Sequence, residues 1–151
     1  MTKTYLELTH LIERLHRRFL DVLRTELNRL GVRDINGVQA LLLANIGEEE
    51  IVIRDLVERG YYQGSNVSYN IKKLVDFGYL EQKRTEHDKR SVSVKLTEKA
   101  IQIVVKIREL EVQNAESFAS QHKMENETEQ VLESLRRLER VWADYINYGS
   151  Q

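Results

Sequence analysis

Residues 65–97 read SNVSYNIKKLVDFGYLEQKRTEHDKRSVSVKLT, and the change of rhythm inside this stretch decides the fold. Val67, Ile71, Leu74 and Val75 recur at the three- and four-residue steps of one helix face. Ser65 has the hydroxyl that suits an N-cap, and Gly78 suits a left-handed helix stop. Immediately afterwards YLEQKR and VSVKL form short β-prone runs on either side of the polar turn TEHDK. The spacing predicts a helix over 65–78 and then a two-stranded hairpin. With Val67, Ile71 and Leu74 turned inward, the opposite helix face presents Ser65, Asn66, Tyr69 and Lys73, with Ser68 and Lys72 nearer the edge.

Upstream of this stretch, RDLVER closed by Gly60 reads as a small helix, and the turn YYQG joins it to the next one. Together they make a helix-turn-helix pattern. The β-branched group Ile51, Val52 and Ile53 reads as a brief strand before it. Earlier still, Val38, Leu41, Leu42 and Ile46 mark a short helix with Asp34 or Asn36 as its cap and Gly47 as its stop. The chain begins with Leu8, Ile12, Leu15, Phe19, Val22, Leu23 and Leu27 on one face of a long helix that ends near Gly31. Downstream, Thr97 caps a helix running through Ile101, Val104, Val105, Val112, Ala115 and Phe118. A last helix follows with Val131, Leu135, Leu138, Trp142 and Tyr145, and there is no proline anywhere to break these helices.

Composition narrows the function. A chain of 151 residues is long enough for one real core but short for two. A charged fraction of 31% and a mean hydropathy of -0.50 exclude a membrane protein. Glu7, Glu13 and Arg14 interrupt any secretory apolar stretch, so a cytoplasmic location is expected. With no cysteine, disulfides, thiolate nucleophiles and cysteine-bound zinc are excluded. His10, His16, His87 and His122 match no metal spacing, so no metal is expected. No phosphate loop, hydrolase elbow or catalytic carboxylate pair is present, and no enzyme chemistry or cofactor is expected. A net charge of -1 gives no global pull toward nucleic acid. The charges are nevertheless sorted: between Gly60 and Lys95 the bases Lys72, Lys73, Lys83, Arg84, Lys89, Arg90 and Lys95 outnumber the acids, whereas beyond Glu109 the excess is acidic.

The order of helices with a hairpin behind the second helix of the pair resembles the MarR family of bacterial regulators. The segment HDKRSVSVKLT carries the most specific part of the likeness, with Asp88 and Arg90 at the wing signature and Leu96 and Thr97 closing its strand. NVSYNIKKLVDFGYLEQKR is similar to the family's recognition helix and the approach to its wing. Ala100 stands where family members often have glycine, and as a helix former it does no harm there. The resemblance covers nearly the whole chain. It implies a mainly α fold with a small β wing, a winged helix-turn-helix domain plus terminal dimerisation helices. Residues 1–151 would form a single unit, with 34–97 as the DNA-binding part and 1–30 and 98–148 as dimerisation helices.

On this reading the helix over 65–78 enters a major groove. Asn66 suits adenine, Ser65 and Ser68 suit a base or a phosphate, Tyr69 suits a thymine methyl, and Lys72 and Lys73 suit phosphates. The hairpin tip would place Arg90 in the minor groove with Asp88 holding its guanidinium, while Lys83, Arg84 and Lys89 meet phosphates. The terminal helices carry more apolar surface than the domain needs, and Leu8, Ile12, Leu15, Val131, Leu135, Leu138, Trp142 and Tyr145 are expected to pack between two subunits. The partners expected are a pseudo-palindromic double-stranded DNA operator and a second copy. The resemblance further implies a small, often aromatic, effector, with Arg17, Phe19 and Leu42 as candidate lining residues. A winged-helix module that binds protein instead of DNA is the alternative, and the basic, polar wing favours DNA.

Overall fold

The computed structural model describes residues 1–60, 64–84, 91–121 and 125–149. Along the chain these form α1 (Thr2–Arg29), α2 (Gly37–Ile46), β1 (Ile51–Val52), α3 (Ile53–Gly60), α4 (Gly64–Asp76), β2 (Leu80–Arg84), β3 (Val92–Leu96), α5 (Glu98–Gln121) and α6 (Glu125–Tyr148). The turn residues 61–63 and the wing-tip residues 85–90, including Asp88, Lys89 and Arg90, lie outside the described residues, as does the Ser65 side chain.

α1 closes where its sequence suggested. Gly31, at φ 73°, donates to Asn28 O, and Val32 donates to Leu27 O. This pair of bonds satisfies carbonyls that the helix end would otherwise leave open. The same arrangement ends α4, where Gly78 at φ 81° donates to Val75 O and Tyr79 donates to Leu74 O. Between the two capping candidates for α2, Asn36 takes the role: its side chain accepts from Gln39 N at 2.9 Å while Gln39 Oε1 accepts from Asn36 N at 3.0 Å. Thr97 caps α5 by accepting from Ala100 N at 3.4 Å.

The backbone corrects one expectation and extends another. α4 starts at Gly64, so Ser65 lies inside its first turn and is not the N-cap. The two-stranded hairpin is present as β2 and β3, and β1 joins it to give a three-stranded antiparallel sheet in the order β1-β3-β2. Ile51 pairs with Val94 and Val52 with Ser93, so a two-residue strand is stabilised by a partner far along the chain, while Ile53 already belongs to α3. β2 is an edge strand. Only Leu80 of its five residues is buried, and its exposed Glu81, Lys83 and Arg84 are the charges that keep an open edge from pairing further.

The contacts divide the chain into two compact units, Met1–Glu109 and Leu110–Gln151. The first contains the core, in which Leu23 and Leu27 of α1, Leu42 and Leu43 of α2, Leu56 of α3, Leu74 of α4, Val94 of β3 and Ile107 of α5 are all buried. Ile51, Leu80 and Leu96 add the buried face of the sheet. Within this unit only the C-terminal part of α1 is covered, and Leu6, Leu8, Leu11 and Leu15 remain exposed. The second unit, the end of α5 and α6, has no fully buried residue among those described. Val131, Leu132, Val141, Tyr145 and Ile146 of α6 are exposed.

Candidate nucleic-acid interface

The inward side of α4 is fixed by burial of Val67, Ile71 and Leu74, which leaves the other side of the helix facing solvent. Asn66, Ser68 and Lys72 are exposed there, and Tyr69 is 62% exposed. Lys73 is half-buried, with its Nζ 5.8 Å from the centroid of the Tyr69 ring. The exposed face is therefore turned toward Ser68 and Lys72 relative to the position expected from the helical wheel. Gln39 of α2 is the physical reason. It donates through Nε2 to Asn70 Oδ1 at 3.2 Å and so draws the Asn70 side of α4 inward. Gln39 and Asn70 carry no motif that links them, and their pairing across the chain was invisible to local pattern.

The strands hold the basic flank in place. Ser93 is buried in β3, donates to Glu50 Oε1 at 2.5 Å and lies 3.3 Å from Lys83 O. Through Ser93 the strand of Lys83 and Arg84 is anchored to the segment before β1. Both side chains are exposed, and among the described residues neither they nor Lys72 form an ion pair. Exposed cations of this kind are available to phosphates. Asp88, Lys89 and Arg90 fall within residues 85–90, outside the described residues.

Where α4 meets β2, Tyr79 is buried and its hydroxyl donates to Asp34 Oδ1 at 2.5 Å. Burial, and then the hydrogen bond and charge of Asp34, raise the Tyr79 phenol well above its ordinary range. Lys99 Nζ sits 4.2 Å from the Tyr79 ring centroid, 3.6 Å from Asp34 Oδ2, and donates to Phe77 O at 3.1 Å. Thr97 Oγ1 donates to Gly78 O at 2.7 Å. The end of α4 is thus tied both to the α1–α2 link and to the first turn of α5.

The remaining sequence-named residues lie on other elements. Leu8 and Leu15 are exposed and Ile12 half-buried on α1. Val131, Trp142 and Tyr145 are exposed on α6, with Leu135 and Leu138 half-buried between them. Arg17 is paired with Glu13 at 2.5 Å on the exposed face of α1, Phe19 is partly exposed, and Leu42 is a core residue at 1% exposure. None of these last three lines the cavity formed by Leu30, Val32, Tyr79 and the first turns of α5. Among the described residues no three His, Asp or Glu side chains gather as a metal ion needs, and no helix is long and apolar enough to cross a membrane.

Comparison with known proteins agrees with this geometry. Residues 35–100 match the family described as a winged helix DNA-binding domain. The chain is 40% identical over 148 residues to the exopolysaccharide II synthesis transcriptional activator ExpG of Rhizobium meliloti (strain 1021), covering 97% of this chain and 75% of that protein. Its fold is similar to that of FabT from Streptococcus pneumoniae, crystallised in complex with DNA, at a TM-score of 0.76 and 19% identity, covering 93% of this chain and 98% of that one. It is also similar to a MarR transcriptional regulator from Methanosarcina mazei Go1, at a TM-score of 0.74 and 22% identity over 91% of this chain and 96% of that one.

Proposed function

The chain belongs to the MarR family of winged helix-turn-helix transcriptional regulators, and from that premise we propose that it binds a pseudo-palindromic operator as a homodimer. It is a DNA-binding regulator and not an enzyme. The observation that carries the proposal is α4 itself. Its one side is sealed into the core by Val67, Ile71 and Leu74, so Asn66, Ser68, Tyr69 and Lys72 are presented on a rigid element with nothing of the first unit's core to satisfy. A helix of this kind fits the major groove, where Asn66 offers a bidentate amide to adenine and Tyr69 an apolar edge to a thymine methyl. Lys83 and Arg84 on the neighbouring edge strand then lie beside the phosphate backbone and supply sequence-independent affinity.

The apolar surface left over supports two copies. Leu8 and Leu15 of α1 in one unit, and Val131 and Tyr145 of α6 in the other, are exposed faces that a monomer leaves in water. A two-fold dimer covers each such face with its equivalents and presents two recognition helices to two half-sites. The working compartment of such a regulator is the cytoplasm. The relative from Rhizobium meliloti is an activator, which makes activation the sign of regulation to test first. Fluorescence anisotropy with labelled genomic fragments at graded salt concentrations tests the reading. Affinity that falls steeply and linearly on a double-logarithmic plot supports it, and absent or salt-insensitive binding contradicts it.

A further inference from the structure

Burial of Val67, Ile71 and Leu74 decides which side of α4 faces the core, but apolar contacts are non-directional and leave a helix free to roll through small angles. A reading helix cannot tolerate that freedom. With side chains reaching ~5–6 Å from the axis, a roll of about 20° carries each outer tip by ~2 Å, more than a base-edge hydrogen bond survives. A directional contact from outside the helix is needed to fix its angle, and Gln39 of α2 makes one. Gln39 is 7% exposed and donates through Nε2 to Asn70 Oδ1 at 3.2 Å, and Asn70 is the half-buried residue at the middle of α4. The Gln39 amide is itself held in one orientation. Its Oε1 accepts from Asn36 N at 3.0 Å, a backbone N–H that pairs only with an acceptor, and this leaves Nε2 as the atom turned to Asn70. The capping box of α2 therefore sets the polarity of the bond that reaches α4. Asn70 lies beside Tyr69 and one turn from Asn66 and Lys73, so fixing its angle about the axis fixes theirs.

We propose that Gln39 is a positioning residue for sequence recognition: through Asn70 it fixes the roll of α4, and with it the angle at which Asn66, Ser68, Tyr69 and Lys72 meet the base edges. Gln39 does this from the interior, without touching DNA. The consequence is a separation of specificity from affinity. Lys83 and Arg84 stand on β2 and their contacts with phosphates are indifferent to the roll of α4, so loosening the helix relaxes discrimination and leaves sequence-independent affinity in place. The effect on discrimination rests on the DNA-binding reading above; the fixing of α4 does not.

Three variants of the full chain test the role. Gln39→Met keeps the length of the side chain and removes both of its hydrogen bonds, whereas Gln39→Glu keeps the capping oxygen and offers Asn70 an acceptor to which its amide can turn Nδ2. Gly47→Ala, at the other end of α2, lowers stability through its positive φ without altering Gln39 or Asn70, and controls for a merely structural effect. Competition binding compares an operator selected by the wild type with variants changed at single bases. Gln39→Met is expected to lose about tenfold in discrimination while its affinity for unrelated duplex stays within about twofold, and Gln39→Glu and Gly47→Ala should discriminate as the wild type does. Undiminished discrimination by Gln39→Met, an equal loss in Gly47→Ala or no recovery in Gln39→Glu overturns the positioning role. Amide hydrogen exchange of the DNA-free chain reads the fixing of α4 alone. Residues 64–76 should exchange about threefold or more faster in Gln39→Met than in Gly47→Ala at matched distance from their unfolding midpoints, and equal exchange overturns it. Asn70→Leu, which breaks the same bond and leaves the capping box whole, should exchange as Gln39→Met does. Failure of the wild type to distinguish any sequence overturns the regulator reading, and exchange still reads the hold on α4 on its own.

Discussion

Gln39 closes the capping box of α2 and also donates to Asn70 of α4, so one buried amide orients both helices. Its replacement by alanine removes both contacts and leaves Asn70 without its partner. Gln39→Ala is expected to cost about 1–3 kcal/mol in denaturant unfolding, more than an isolated cap. On the proposed reading Asn66 and Tyr69 contact bases and Lys72 a phosphate, although all three are exposed on the same helix. Asn66→Ala and Tyr69→Ala should relax discrimination among operator variants, each by about 1–3 kcal/mol, whereas Lys72→Ala should weaken all sequences alike and reduce the salt slope by about one. Competition binding against single-base operator variants separates these outcomes. Glu26 offers a test by pH. Its hydrogen bond to Arg29, opposed by its burial and aided by the charges of Arg29 and Lys106, holds its carboxyl below the ordinary value. A depressed carboxylate contributes stability that is complete above its unfolded pKa and is lost as pH falls through its folded one. Glu26→Gln should therefore be less stable than wild type near neutrality, with the gap narrowing in acid, when melting is followed from pH 7 downward. At this scale the sequence showed most of the side chains that face out of α4, because burial follows period, but it placed Lys73 further out, and Ser68 and Lys72 further in, than they lie. It did not show Gln39 with Asn70, or Tyr79 with Asp34 and Lys99, because those pairs are made by folding between distant segments.

At the scale of elements, glycine decides how closely α2 approaches α1. A Cβ at Gly37 would lie 2.7 Å from the backbone oxygen of Leu20, and backbone cannot rotate away as a flexible side chain can. Gly37→Ala is expected to cost about 1–3 kcal/mol by forcing the two helices apart, read as a lower denaturation midpoint at unchanged slope. Gly47→Ala makes a useful contrast: nothing lies within 4 Å of the new Cβ, but the positive φ of 73° strains any L side chain, so its cost is conformational and not steric. Helix number, order and most ends were legible from periodicity and stop residues, since both Gly31 and Gly78 close helices in the left-handed conformation. The brief strand at Ile51 and Val52 was legible from its β-branched residues, but its pairing with Val94 and Ser93 was not, because two residues carry no register. The start of α4 was also misplaced by the hydroxyl of Ser65, because a good capping residue does not oblige the helix to begin after it.

At the scale of the whole molecule, the account depends on a second copy. Val131 and Tyr145 are exposed at 57% and 64% on α6, so charging them leaves the fold of one chain with little to lose. Val131→Glu with Tyr145→Glu is expected to give a folded monomer in sedimentation and, in the same samples, to abolish tight binding to a full operator, although neither position lies on α4 or the basic strand. The central claim is that two α4 helices read two half-sites from one face of the duplex. Hydroxyl-radical footprinting of wild-type protein on its selected operator tests it most directly. Two protected patches of inverted sequence, centred about 10 base pairs or ~34 Å apart on the same side of B-DNA, are the predicted result. A single protected half-site at saturation, or protection without inverted symmetry, would contradict it.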